Sequence, residues 1–317
     1  MAKVLLARPL PEAVVTRAQA LFDVTVRAET TPLSGTEMRA ALADYDAVMP
    51  TLGDLFRAEV FADVPGARCK LLANFGVGFN HIDAAAAVAA GIAVTNTPGA
   101  VTDATADIAM TLMLMSARRA SEGERMVRAG AWEGWHPTQM LGLHLSGKTV
   151  GIIGMGRIGQ AIARRCHFGF GMEVLYFNRS QKTMTFPARQ VAGLTELAAQ
   201  VDVLVVATPG GAQTHHLVGA EVLAAMRPHG RVINIARGDV VDEAALIAAL
   251  EAGQIGGAGL DVYEFEPKVP AALLAREDVV LLPHLGTAAL DVRISMGMMV
   301  VDNLEAHFAG RALPNPV

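Results

Sequence analysis

Between residues 149 and 159 the chain reads Thr149-Val150-Gly151-Ile152-Ile153 and then, without a break, Gly154-Met155-Gly156-Arg157-Ile158-Gly159. A short apolar strand that turns through G-x-G-x-x-G into a helix has few physical solutions. The first glycine permits the tight turn, the second lets the backbone approach a diphosphate, and the third allows close helix–strand packing. Unpaired N–H groups at the start of the helix then meet the anion, and Arg157 adds a cation there. The spacing therefore predicts a βαβ unit that binds a dinucleotide through Gly154, Gly156, Arg157, Ile158 and Gly159.

The rest of the chain alternates in the same way. Lys3–Ala7, Val24–Val26, Ala47–Met49, Leu71–Asn74 and Ile92–Thr95 read as buried strands. Between them, a helix over Pro11–Leu21 starts on a proline, and one over Ser34–Ala43 carries a capping box, Ser34 with Glu37. A long helical pattern runs from Thr102 through Arg128. A second alternation follows, with strands at Thr149–Ile153, Glu173–Phe177, Val203–Ala207, Val232–Ile235, Gly259–Leu260 and Val279–Leu282, a helix over Gln160–Cys166, and an amphipathic helix over Asp291–Phe308. Alternating strands and helices predict α/β architecture with parallel, doubly wound sheets, and two such series predict two similar domains.

At 317 residues the chain has room for about two domains. Its 52% hydrophobic and 18% charged content excludes wholesale disorder, and a net charge of -5 argues against a nucleic-acid partner. Cys69 and Cys166 have neither metal-ligand spacing nor partners for a disulfide framework, so reduced thiols, no metal and a cytoplasmic setting are expected. The apolar N-terminus is too short for a signal segment. The apolar helix Ala104–Ala117 contains Asp107 and falls short of the roughly 20 residues of a membrane span. No membrane association is expected.

The nature of the dinucleotide turns on the end of the second strand of the binding unit. A carboxylate about 20 residues past the glycine loop would accept the ribose 2′-OH. Here Val174-Leu175-Tyr176-Phe177 is followed by Asn178-Arg179-Ser180. Arg179 can pair with a 2′-phosphate, helped by Asn178 and Ser180, which predicts NADP(H), with NAD(H) as the lesser alternative. Three more polar residues follow apolar strands, where open α/β sheets collect ligands: Arg237, Glu266 and His284. An imidazolium can donate a proton to a carbonyl, a carboxylate can orient it, and a guanidinium can grip a carboxylate substrate.

These residues lie in motifs that resemble the D-isomer-specific 2-hydroxyacid dehydrogenase family over essentially the full length. The segments are Asn74-Phe75-Gly76-Val77-Gly78-Phe79-Asn80-His81-Ile82-Asp83, Asn96-Thr97-Pro98-Gly99 through Asp107, the glycine loop, Asn234-Ile235-Ala236-Arg237-Gly238, Gly259-Leu260-Asp261-Val262-Tyr263-Glu264 and Pro283-His284-Leu285-Gly286. Within the family, Asn178-Arg179-Ser180 and the tryptophan segment are most similar to glyoxylate/hydroxypyruvate reductases. The resemblance implies catalysis by Arg237, Glu266 and His284, with the Val77 and Gly78 N–H groups on the substrate carboxylate. Glu264 competes with Glu266 for the third role; Glu266 is preferred for its place before Pro267.

By the same resemblance, Thr105, Thr208, Pro209, Thr214, Ala236, Asp261, His284 and Gly286 face the cofactor, Asp261 through the nicotinamide amide. The cofactor domain, 99–287, is expected to be inserted into a flavodoxin-like substrate domain made of 1–98 and 288–317, with a cleft that closes on the ligand. A dimerisation arm over about 117–147 implies a homodimer, in which Trp135, and with it Trp132, reaches the partner's substrate pocket. His81 and the pair His215-His216 are expected to serve the surface or local hydrogen bonds. The expected activity is NADPH-preferring reduction of a small 2-keto acid, glyoxylate or hydroxypyruvate, to the D-2-hydroxy acid. Formate oxidation would need no general acid and resembles a Gln where Glu266 stands; phosphite oxidation resembles a lysine near Val77. A phosphoglycerate dehydrogenase would be expected to carry an extra domain. D-lactate- or D-glycerate-type enzymes and a nucleotide-sensing corepressor are the alternatives.

Overall fold

Most strands are runs of three to five apolar residues buried on both faces, and in the computed structural model, which describes all 317 residues, they assemble into two all-parallel sheets. Residues Met1–Val101 together with Ala288–Val317 form one compact unit, and Thr102–Thr287 form the second.

The first unit holds β1 (Lys3–Leu6), β2 (Asp23–Val26), β3 (Ala47–Met49), β4 (Leu71–Ala73) and β5 (Ala93–Thr95) in the order β2-β1-β3-β4-β5, the flavodoxin-like order. Helices α1 (Glu12–Leu21), α2 (Gly35–Asp44), α3 (Ala58–Ala62) and α4 (Ala84–Ala89) connect them, and the terminal helix Leu290–Phe308 returns to pack on α1 and β4. Ser34 caps α2, accepting from Glu37 N–H while the Glu37 side chain accepts from Ser34 N–H. Leu42, Val48, Phe56, Leu72 and Ile92 lie in one core of this unit.

The second unit opens with α5 (Thr102–Arg118). The expected single helix through Arg128 is broken at Arg119, which adopts φ 53°, and α6 (Ala120–Arg128) sets off anew. The apolar stripe explains the break: α5 buries eight residues along its length, whereas α6 buries none and so has no core to hold it in line. The Arg119 guanidinium fixes the left-handed turn by donating to both Glu122 oxygens, at 2.8 and 2.6 Å. Residues 99–101, expected in the cofactor domain, belong to the first unit, because the chain turns at Gly99 (φ 94°) before α5 begins.

The sheet of this unit contains β6 (Thr149–Ile153), β7 (Glu173–Phe177), β8 (Arg189–Gln190), β9 (Val203–Val206), β10 (Arg231–Asn234), β11 (Gly257–Leu260) and β12 (Val279–Leu281). Their order is β12-β11-β10-β9-β6-β7-β8, the Rossmann order with one further strand at an edge. The direction of winding reverses between β6 and β9, whose register pairs Ile153 with Val206. Helices α7 (Arg157–Phe170), α8 (Leu194–Gln200), α9 (Ala220–Ala224), α10 (Glu243–Glu251) and α11 (Ala271–Leu274) complete the unit. Two apolar cores cover the sheet faces, one around Leu204, Val232 and Leu260, the other around Ile152, Val205 and Ile233. The carboxyl ends of β6, β9, β10, β11 and β12 thus share one edge.

Candidate active site

Gly154 leaves β6 with φ 96°, and a Cβ there would stand 2.7 Å from Thr208 N, so only glycine fits this turn beside the end of β9. The first helical bond of α7 is Gln160 N–H to Gly156 O at 2.9 Å, and no side chain caps the helix. The N–H groups of Arg157, Ile158 and Gly159 therefore have no helical acceptor. Open space lies on the Cβ side of Gly156. Donors at a helix start beside an uncluttered backbone fit a dinucleotide diphosphate.

At the end of β7, Asn178 holds the loop together. Its Oδ1 accepts from Met155 N–H at 3.1 Å, its Nδ2 donates to Ser180 O at 2.7 Å, and its carbonyl accepts from Gln190 Nε2 at 2.7 Å. Arg179 is exposed, donates only to Gln213 Oε1 at 3.4 Å and has no carboxylate partner. Across the switch point, Thr214 closes the Thr208–Thr214 loop by donating to Pro209 O at 2.8 Å.

The three polar residues that follow strands meet within this unit. Gly238 is pressed so closely on the next segment that a Cβ would lie 1.8 Å from Tyr263 C. This contact draws the Arg237 turn onto the chain that carries Glu266. Glu266, not Glu264, faces His284, its Oε2 lying 2.9 Å from His284 Nδ1, while its Oε1 accepts from Tyr263 N–H at 3.1 Å. Burial works against the Glu266 charge, but His284, the Tyr263 N–H and Arg237 outweigh it and hold the carboxyl below its usual range. His284 and Glu266 side chains are 31% and 29% exposed, so the pair is open to a ligand on one side. With Nδ1 taken by Glu266, Nε2 is the ring nitrogen left to face one.

Burial lowers the Arg237 pKa against the opposing charges of Glu266 and Asp239, and a guanidinium in this range stays charged. Sequence reasoning missed what holds Arg237. The buried Asn234 accepts from Ala236 N–H at 3.0 Å and donates to Arg237 O at 2.9 Å, clamping the turn. An amide ending an otherwise apolar strand was the available signal.

Asp261, placed by the resemblance on the nicotinamide amide, is 1% exposed, and its oxygens accept from Leu285 N–H at 2.6 Å and Gly286 N–H at 2.8 Å. Burial pushes its carboxyl up, against those N–H bonds and the neighbouring His284. Asp261 supports the His284 loop from beneath, where His284 is held at φ 56°. Thr105, 6% exposed, likewise donates to Gly286 O at 3.0 Å.

In the first unit, the Val77–Gly78 loop follows β4. Asn74 Nδ2 donates to Gly76 O and Gly78 O at 3.0 and 3.1 Å, and Asn96 Nδ2 donates to Val77 O at 2.8 Å. With the carbonyls tied inward, the Val77 and Gly78 N–H groups carry no protein partner. His81 is buried and bonds Asn74 Oδ1 at 3.0 Å, a local role rather than a surface one. Trp132 and Trp135 lie in irregular chain after α6 and are 54% and 80% exposed. No helix is long and apolar enough to cross a membrane.

Residues 110–286 match the family described as D-isomer specific 2-hydroxyacid dehydrogenase, NAD binding domain. A glyoxylate reductase of Thermococcus gammatolerans is 40% identical, covering 99% of this chain and 95% of its own. A hydroxyphenylpyruvate reductase of Plectranthus scutellarioides is 44% identical over 82% of this chain and 81% of its own. Among solved structures, an NADPH-dependent glyoxylate/hydroxypyruvate reductase from Sinorhizobium meliloti, in complex with NADP and malonate, superposes with TM-score 0.89 at 37% identity, covering 100% of this chain and 96% of that one. With a Rossmann sheet, a phosphate-binding helix start and full-length similarity to these reductases, the chain belongs to the D-isomer-specific 2-hydroxyacid dehydrogenases, NAD(P)-dependent oxidoreductases that act on small 2-keto acids.

Proposed function

We propose that the protein reduces glyoxylate or hydroxypyruvate to the D-2-hydroxy acid with NADPH as the preferred reductant. The observation that carries the reading is the His284–Glu266 pair at 2.9 Å, set on the same sheet edge as Arg237 and the glycine loop. A nicotinamide cofactor, when bound, would supply the hydride for the keto carbon. His284 Nε2 gives the proton to the keto oxygen, and Glu266 holds the ring by Nδ1. Arg237 polarises that oxygen and hydrogen-bonds the carboxylate.

In this reading the Thr102–Thr287 unit is the cofactor domain, and the unit of Met1–Val101 with Ala288–Val317 is the substrate domain. Gly154, Gly156, Arg157, Ile158 and Gly159 take the diphosphate, Thr208, Pro209 and Thr214 flank it, and Ala236 and Gly286 line the nicotinamide side. Arg179, with Ser180, takes the 2′-phosphate; its exposure and lack of a carboxylate partner support this. One charge-assisted contact of roughly 1.5–3 kcal/mol gives about a 10- to 150-fold preference for NADPH. The exposed Trp135 supports a homodimer in which it enters the partner's pocket and restricts it to short side chains.

The test follows NADPH and NADH oxidation at 340 nm with glyoxylate, hydroxypyruvate, pyruvate and 4-hydroxyphenylpyruvate. Fast NADPH-dependent turnover of the first two, a loss of cofactor discrimination in Arg179→Ala, and a collapse of kcat in Glu266→Gln with NADPH affinity intact are expected. The 44% identity to a hydroxyphenylpyruvate reductase favours a second reading, an enzyme for bulkier keto acids. Preferential turnover of 4-hydroxyphenylpyruvate would establish it instead.

A further inference from the structure

His215 and His216 sit in the second unit, outside the groups assigned to chemistry. Their rings stack with centroids 3.9 Å apart at 25°. His216 Nε2 lies 3.0 Å from Glu264 Oε1, and one donor atom from each of His215, His216 and Glu264 falls within 4.8 Å of the others. Two donors sharing a tetrahedral zinc ion are about 3.3 Å apart, from metal–ligand distances near 2.0 Å. His216 and Glu264 already meet that spacing, and His215, an exposed side chain, closes the remainder by rotation.

The surroundings favour a cation. Asp242, Glu243 and Glu264 cluster here around His216. The other nitrogen of His216, Nδ1, lies 3.8 Å from Asp242 Oδ2, so a carboxylate stands behind a ligating imidazole, as outer-shell carboxylates commonly do. His216 is also fixed in place, held at φ 50° with its N–H donating to Asp239 O at 2.7 Å.

We propose that His215, His216 and Glu264 form a three-ligand site for a divalent transition ion, with two imidazole nitrogens and one carboxylate oxygen selecting zinc or its borderline neighbours over calcium or magnesium. Water completes the shell on the exposed His215 side. The site staples the 214–216 loop to the segment that runs through Phe265 into Glu266. Ion binding there ties the two loops together next to Arg237 and Glu266 without using either.

The experiment titrates zinc chloride into untagged, chelator-stripped and desalted protein, read by calorimetry and by a competing zinc dye, with melting curves in parallel. Wild type should take up one equivalent and melt higher with zinc. His215→Ala and Glu264→Gln should each weaken that binding at least about tenfold and abolish the zinc-dependent rise in Tm. In chelator, His215→Ala should melt with wild type, since its side chain is exposed, which separates loss of a ligand from loss of the fold. Absence of stoichiometric uptake by wild type, or uptake unchanged in both variants, overturns the site.

Discussion

Alanine at Gly156 and at Gly159 makes opposite demands on the phosphate loop. At Gly156 an added Cβ meets nothing within 4 Å, and φ -76°, ψ -163° suits any residue. Gly156→Ala should therefore melt within about 0.5 kcal/mol of wild type. In the proposed reading the new methyl stands where the diphosphate approaches the helix start. Losing one charge-assisted bond of roughly 1.5–3 kcal/mol raises the Kd for NADPH about 10- to 150-fold. At Gly159 the added Cβ would be 2.1 Å from Gly154 O, where ordinary contact begins at 3.4 Å, so the turn must retreat by about 1.3 Å. Both partners are backbone, which puts the strain near the upper end of overpacking, about 3 kcal/mol, while helix propensity returns about 1 kcal/mol. A net loss of roughly 2 kcal/mol lowers Tm by about 4–8 °C in a unit of this size, and NADPH binding weakens as well. Scanning fluorimetry without ligand and fluorescence titration with NADPH separate the two effects. Wild-type NADPH affinity in Gly156→Ala would refute the assignment of the loop's open face to the diphosphate. A wild-type melt in Gly159→Ala would refute the close approach.

Other groups give sharper chemical tests. Asp202, 4% exposed, is opposed by burial, but His229, the Thr149 N–H and Arg227 hold its carboxyl below the usual value. A depressed pKa contributes stability above the unfolded value near 3.9 and loses it as pH falls through the folded value, so Asp202→Asn should cost about 1–3 kcal/mol at pH 7 in urea melts and progressively less below about pH 4. Burial pushes the Cys69 and Cys166 thiols up to about 12, so the native protein should resist Ellman's reagent at pH 8 and titrate both thiols in guanidinium. The Tyr263 hydroxyl donates to Leu282 O at 2.9 Å and is pushed up to about 12, chiefly by burial. Tyr263→Phe should lose about 0.5–1.5 kcal/mol in chemical denaturation, and a larger loss of turnover than of stability would show that the bond also sets the His284 loop.

Much of this protein is written locally. The strand–glycine–helix run at 149–159 needs only turn sterics and orphan N–H groups, and the capping box at Ser34 and Glu37 needs only a three-residue spacing, so both were legible from neighbours in the chain. The length of the α5 pattern was legible too, but not its break: whether a helix continues past Arg119 depends on what lies across from it, and α6 has no core to meet. Side-chain partners were the least legible. Two glutamates of like chemistry stand two residues apart, and it is the close contact of Gly238 with Tyr263, with the register of β10 against β11, that turns Glu266 to His284 and Glu264 to His216. Nothing in the sequence around Asp261 showed that the N–H groups of the His284 loop would bond both of its oxygens. Spacing along the chain determined the sheets and the phosphate loop, because those rest on short-range backbone geometry. Tertiary structure decided which polar atoms meet, because a charge finds its partner across strands whose distance in sequence carries no trace of their distance in space.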